Sequence, residues 1–210
     1  SVANATQFQK IKNIVASDSR RKIIVVSAPG KAHKDDIKIT DLLFASYDLA
    51  IKKLDISPAF NPIVSRFLSL AEDLGLSKNI LDDLEHLRYQ LLTEIDTLSE
   101  AFVISRGEYL CARLMAEFLD ATFIDAFDVI EIDIHGRANE KSFHKITSLL
   151  TDDAIHVVPG FYGKGHHGEL EIFSRGGSDI SGALLANGVE VELYENWTDV
   201  SGIYVADPRV

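Results

Sequence analysis

The 210-residue chain is 46% hydrophobic and 25% charged, enough apolar material for one ordinary globular core with at most a small insertion beside it. Its net charge of -11 repels phosphate backbones and anionic lipid, and no Lys/Arg cluster offers a basic stripe, so nucleic acid and membrane are poor partners. Cys111 is the single cysteine, which rules out an intrachain disulfide and makes a reducing, cytosolic compartment the expectation.

Val2, Ala5, Phe8, Ile11 and Val15 recur at helical spacing, so the chain opens on an amphipathic helix. Ile23 to Val26 form a β-branched run stopped by Ser27-Ala28-Pro29-Gly30, as expected of a parallel strand buried on both faces. Ile39 to Leu54 reads as a helix with Thr40 or Asp41 as its cap. Residues 58–98 have a different texture. Two helical patterns, Ile63 to Leu74 and Ile80 to Leu98, flank Gly75-Leu76-Ser77 with no strand between them, which suggests a helical insertion.

Alternation then returns. Phe102 to Ile104 reads as a short strand, Glu108 to Leu119 as a helix, Val129 to Ile134 as a strand, Lys141 to Leu150 as a helix and Ile155 to Val158 as a strand. Leu170 to Phe173 is expected to form a short strand, Ile180 to Asn187 a helix and Val189 to Leu193 an alternating strand. Repeated strand-helix alternation implies a three-layer α/β/α sandwich with a mainly parallel central sheet, whose ligands sit at the carboxyl ends of its strands. The first helix has begun by its first residues and Asp207-Pro208-Arg209-Val210 follows without a closing element, so truncation at both ends is expected.

Three glycine-bearing segments carry groups suited to an anionic ligand. Ser174-Arg175-Gly176-Gly177-Ser178-Asp179 opens a helix whose free N-H groups form an anion site, with glycines that let a ligand approach the backbone. Asp179 would repel a phosphate, so it must cap the helix or hold a lysine, a cation or the attacking group. Gly160 to Gly168 reads as a flexible loop able to close over a substrate, with Phe161 excluding water. Its His166 and His167 should point apart as solvated side chains, with no third ligand at useful spacing for a metal. Trp197 to Tyr204, with Asp207-Pro208-Arg209 following, offers a hydroxyl, a carboxylate, a ring and a guanidinium fit for a nucleotide.

Ser-Arg-Gly-Gly-Ser-Asp at 174–179, Trp-Thr-Asp-Val-Ser-Gly-Ile-Tyr at 197–204 and Asp-Pro-Arg at 207–209 resemble, in order and spacing, the signature of aspartokinases within the amino acid kinase family. Val25-Val26-Ser27-Ala28, Thr40-Asp41-Leu42-Leu43, Arg106-Gly107-Glu108 and Gly160-Phe161 through Gly163 resemble the family's remaining blocks. The resemblance implies that Arg175 grips the α-carboxylate of L-aspartate and Glu108 its α-amino group, a division that suits a guanidinium and a carboxylate. It further implies that Thr40, Phe161 and Ser178 complete the amino acid pocket, Ser27 lines the phosphate loop, and Asp179 organises the reacting end. Thr198, Asp199, Tyr204 and Arg209 would contact ATP. The implied reaction transfers the γ-phosphoryl group of MgATP to the β-carboxylate, giving 4-phospho-L-aspartate, the first step towards lysine, threonine and methionine. A homo-oligomer, assembled partly through regions outside these residues, is implied as well.

The sequence departs from the family pattern at three places. Aspartokinases place a strand ending in Lys-Phe-Gly-Gly before the stretch that appears here as Ser1-Val2-Ala3, and a second lysine beyond Asp-Pro-Arg. Without these cations the 210 residues alone are expected to be nearly inactive. Leu170 to Phe173 stands where a threonine-rich stretch is usual. Two other readings stay open at this point: a kinase of the same fold acting on another amino acid, and a paralogue that binds amino acid or nucleotide without catalysis.

Overall fold

The computed structural model describes residues 2–31, 35–76, 78–139, 141–149, 153–174 and 176–197. Helix α1 (Ala5–Ala16) starts at Asn4, whose side chain accepts a hydrogen bond from the Gln7 N-H at 3.1 Å, and buries Phe8 and Val15. Strand β1 (Ile23–Val26) leads into α2 (Ile39–Ile51), α3 (Ser57–Asp73), α4 (Lys78–Thr93), a 3-10 turn (Ile95–Thr97) and α5 (Glu100–Leu119). Next come β2 (Thr122–Phe123), α6 (Ala126–Val129), α7 (Lys141–Leu149), β3 (His156–Pro159), β4 (Tyr162–Lys164), β5 (Leu170–Ile172) and α8 (Gly177–Gly188).

The central sheet has the order β1-β3-β2, and both pairings are parallel. Alternation along its strands divides the interior into two layers. Ile24, Val26 and Val157 face a cluster built from Phe8, Phe60, Phe67, Leu110 and Met115. Ile23, Val25 and Val158 face a second cluster with Ile130, Tyr162, Phe173 and Leu185. Helices therefore cover both faces of a mainly parallel sheet, the α/β/α arrangement that the alternating pattern implied. Helices α3 and α4 share the first cluster with α2 and α5, so the stretch without strands packs into the same core.

Four expectations from the sequence need correction. Phe102 to Ile104 is not a strand: Ser99 caps a single helix, accepting from the Phe102 N-H at 3.1 Å, and α5 runs through that segment to Asp120, which is left-handed at φ 53°. A short apolar run reads alike as a buried strand or a buried helix, and α5 is buried almost continuously from Val103 to Ala112. Helix α2 begins at Ile39 without a side-chain cap, and Thr40 and Asp41 lie inside its first turn. Val129 to Ile134 makes only isolated bridges, Glu131 with Lys164 and Ile132 with Ala138, because the Asp133 carboxylate accepts from the His135 and Arg137 N-H groups and turns the chain. Val189 to Leu193 finds no strand partner among the described residues. Val191 and Leu193 are exposed there, and the segment is held by the Val191 N-H on the Ala186 carbonyl and by the ion pairs of Glu192 and Glu195.

The stretch 160–168 also differs from the flexible loop expected of it. Tyr162–Lys164 pairs antiparallel with Leu170–Ile172, so only its tip is a turn. Among the described residues no helix is long and apolar enough to cross a membrane.

Candidate functional site

The carboxyl ends of β1 and β3 lie side by side, with Val26 opposite Pro159 in the register. The loop after β1 carries Ser27 and Ala28; the one after β3 carries Gly160 and Phe161. Helix α8 meets both. The Ser27 hydroxyl donates to the Ser178 hydroxyl at 2.8 Å, a contact across 151 residues of sequence. The Gly160 N-H donates to the Val26 carbonyl at 2.9 Å, and a Cβ on Gly160 would stand 2.7 Å from the Cα of Ser178. One on Gly177 would stand 2.7 Å from the Cα of Phe161. Two glycines thus allow α8 to press its first turn against the loop after β3.

Phe161 is left-handed, with φ 82°, a conformation that costs a non-glycine residue about 1–3 kcal/mol. Two bonds hold it there. Its N-H donates to the Ser181 hydroxyl at 3.1 Å, and its carbonyl accepts from the Phe173 N-H at 2.8 Å. Ser181 in turn donates to the Gly177 carbonyl at 2.9 Å. Ser181 was not anticipated as a site residue, although its place one turn after Ser178 on a helix opened by two glycines was available as a signal. A Gly160→Ala substitution is expected to cost about 1–3 kcal/mol of stability, as overpacking does, and to weaken substrate binding in parallel. A urea melt read beside substrate titration checks both.

Helix α5 approaches from below. A Cβ on Gly107 would lie 3.0 Å from the Ala28 Cβ and 3.1 Å from the Ile39 side chain, so α5 can run close to the β1 loop and the start of α2. That approach brings Glu108 to the Ala28 backbone N-H, which hydrogen-bonds its carboxyl. Glu108 is buried, and its Oε2 has no hydrogen-bond partner among the described residues. Burial pushes its carboxyl up to about 7; the Ala28 N-H and the Arg106 charge pull the other way without overcoming it. Arg106 itself is packed over the rings of Phe102, Tyr109 and Tyr162, at 4.3, 4.4 and 5.4 Å.

Ser27, Glu108, Phe161 and Ser178 therefore come together, with Asp179 next along α8. Thr40 stands in the first turn of α2, beside the Ile39 that packs on Gly107. Asp179 is exposed, and its Oδ1 accepts from the Asn196 amide at 3.1 Å. Among the described residues no side chain caps α8, whose first residue follows the left-handed Gly176, so the backbone N-H groups of its first turn have no capping partner there. Arg175, Thr198, Asp199, Tyr204 and Arg209 lie outside the described residues. His166 and His167 sit exposed at the hairpin tip with their rings edge to face, centroids 5.0 Å apart, rather than pointing apart. Among the described residues no group of three or more His, Cys, Asp or Glu side chains is placed to hold a metal ion.

Comparison with known proteins places this geometry in context. The pattern described as "Amino acid kinase family" matches residues 1–210. Aspartokinase 3 of Bacillus subtilis is 32% identical over 220 residues, covering 99% of this chain and 48% of that protein. Lysine-sensitive aspartokinase 3 of Escherichia coli is 28% identical over 234 residues, covering 100% of this chain and 49% of that protein. The chain thus spans about half the length of the curated relatives it matches. Among solved structures, aspartate kinase of Clostridium acetobutylicum superposes with a TM-score of 0.90 at 40% identity, over 100% of this chain and 48% of its own. Aspartokinase III of E. coli in complex with aspartate and ADP does so at 0.80 and 25% identity, over 100% of this chain and 49% of its own. The fold, the glycine-opened helix at the carboxyl ends of the strands and the match along all 210 residues agree: the chain belongs to the amino acid kinase family.

Proposed function

We propose that residues 1–210 form the catalytic domain of an aspartate kinase, with 58–98 as a helical insertion within it, and that the domain transfers the γ-phosphoryl group of ATP to the β-carboxylate of L-aspartate. The observation that carries this reading is Glu108. A buried carboxylate with one unpartnered oxygen suits a donor such as an ammonium, and the loop that bonds it at Ala28 also carries Ser27, which bonds Ser178 in the first turn of α8, a helix start suited to phosphate. The solved E. coli relative was captured with aspartate and ADP, ligands that match those two halves.

In this reading Glu108 binds the α-ammonium and Arg175 the α-carboxylate, while Thr40, Phe161 and Ser178 shape the pocket around the side chain. Ser27 and the first-turn N-H groups of α8 receive the phosphates; Thr198, Asp199, Tyr204 and Arg209 hold the rest of the nucleotide. Mg2+ would come bound to the ATP phosphates and would supply positive charge against the charge that spreads during transfer. The acceptor carboxylate is ionised at neutral pH and needs no general base, so catalysis rests on alignment and on fixed positive charge. Amino acid biosynthesis in the cytosol, as a homo-oligomer, is the setting we infer from the same likeness.

Coupled ADP release by the full-length gene product, with aspartate and glutamate compared, is the direct test. Aspartate should turn over with a kcat/KM at least tenfold above that for glutamate. A preference for glutamate would overturn the assignment of the acceptor.

A further inference from the structure

Among the described residues, one arginine sets two of its nitrogens on both oxygens of a carboxylate distant in sequence. Arg21, between α1 and β1, donates from Nε to Glu195 Oε2 at 2.7 Å and from Nη2 to Glu195 Oε1 at 2.9 Å, across 174 residues. Its remaining nitrogen, Nη1, donates to the Ile14 carbonyl at 2.6 Å and the Ser17 hydroxyl at 2.9 Å, so the guanidinium is locked to the end of α1 before it reaches Glu195. The pair is partly shielded, with 23% and 30% of the two side chains exposed, which places it above the ordinary surface ion pair in worth.

What the pair holds is a segment without a ladder of its own. Residues 191–197 belong to no helix or strand and are largely exposed. Besides Arg21, other contacts tie them to the body: the Val191 N-H donates to the Ala186 carbonyl at 3.1 Å, and Glu192 stands 3.9 Å from Arg20. The Tyr194 ring packs so tightly on α8 that a Cβ on Gly182 would lie 2.7 Å from its hydroxyl. Asn196, the residue after Glu195, donates to Asp179 at 3.1 Å. The Trp197 indole N-H also reaches Glu195, at 3.3 Å.

We propose that Arg21 is a positioning residue for phosphoryl transfer: by clamping Glu195 it fixes the backbone of Asn196, whose amide orients the Asp179 carboxylate at the start of α8. This inference rests on the reading of Asp179 as part of the reacting end. An exposed carboxylate on a helix start rotates freely unless something holds it, and the Asn196 amide is its one hydrogen-bond partner among the described residues. Transfer between two anions tolerates little misplacement, so loss of that hold falls on kcat rather than on substrate affinity.

The test uses the full-length gene product and measures kcat with KM for aspartate and ATP in Arg21→Met, Asn196→Ala, the double variant Arg21→Met/Asn196→Ala, and the charge swap Arg21→Glu/Glu195→Arg. Each single variant should lose about tenfold in kcat with aspartate KM within twofold. The double variant should be no worse than either single one, because both act through the same carboxylate. The swap should recover most of the loss, which an unfolded variant could not do. Single losses that multiply in the double variant, or an Arg21→Met enzyme that melts earlier yet keeps its kcat, would overturn the proposal. A wild-type enzyme that releases no ADP on adding aspartate removes the functional reading and this inference together, whereas an active wild type with an indifferent Arg21→Met removes the inference alone.

Discussion

Asp179→Ala is expected to lower kcat by two to three orders of magnitude, about 3–4 kcal/mol of barrier, while KM for aspartate changes by less than about threefold. The competing role for Asp179 is a helix-end one, since it is the acidic residue in the first turn of α8. Such a carboxylate near a helix start contributes only about 0.3–1 kcal/mol of stability when exposed, and no side chain caps this helix. The two roles therefore separate by size and by readout. A structural role lowers the melting temperature slightly and leaves turnover alone; a role at the reacting end leaves the melt nearly unchanged and removes turnover. Asp179→Asn sharpens the comparison, because it keeps the shape and discards the charge. Steady-state kinetics beside a thermal melt decide the matter, and a kcat within threefold of wild type would withdraw Asp179 from the mechanism.

Glu108→Gln should raise KM for aspartate on the order of a hundredfold at pH 8 with kcat little altered, since a charge-assisted bond to the substrate ammonium is replaced by a neutral one. Stability should move in the opposite direction. The Glu108 carboxyl titrates at 4.5 in an open chain and at about 7 in the fold, with burial the main cause. For a group raised in this way, the stabilising contribution is complete below about 4.5 and is lost as pH climbs through about 7. The order of magnitude is roughly 3 kcal/mol. The unliganded wild type should accordingly show a falling urea midpoint across that window, and the Gln variant a flat one. Aspartate binding needs the ionised form, so kcat/KM for aspartate should rise through the same window in the wild type and lose that limb in the variant. A Gln variant that is both less stable and unchanged in KM would assign Glu108 to the core instead.

Those two positions illustrate what the sequence could and could not convey. The strand Ile23 to Val26, its stop at Ser27, and the glycine-opened helix at Gly177 were legible, because β-branched runs and paired glycines act locally. The identity of α5 was not. Phe102 to Ile104 lacks the solvent-facing positions that reveal helical period, since Val103, Ile104 and Ser105 are all buried in the folded chain. Of the hairpin at 162–172, the strand Leu170–Ile172 was read from the sequence, whereas Tyr162–Lys164 was hidden for the converse reason. Gly163 looked like a breaker, yet a Cβ there would stand 2.7 Å from Ile130, so the missing side chain makes room for a packed strand. Within the site, Glu108 was reached by resemblance, but its solitary oxygen and the bond from Ala28 depend on α5 passing under the β1 loop. Asn196 and Arg21 gave no signal at all, because a clamp between residues 174 apart has no local pattern.

The middle strand of the sheet gives these observations a common root. Neighbouring residues of β3, Val157 and Val158, serve opposite layers, and the strand runs directly into Gly160 and Phe161. A slip of one residue against β1 would exchange the two valines between layers and turn the elbow at Phe161 away from α8. The pairing that builds the interior is therefore the same pairing that aims the corner of the proposed site, and an interior substitution that loosens β3 should surface as blurred acceptor choice before it surfaces as a lower melting point.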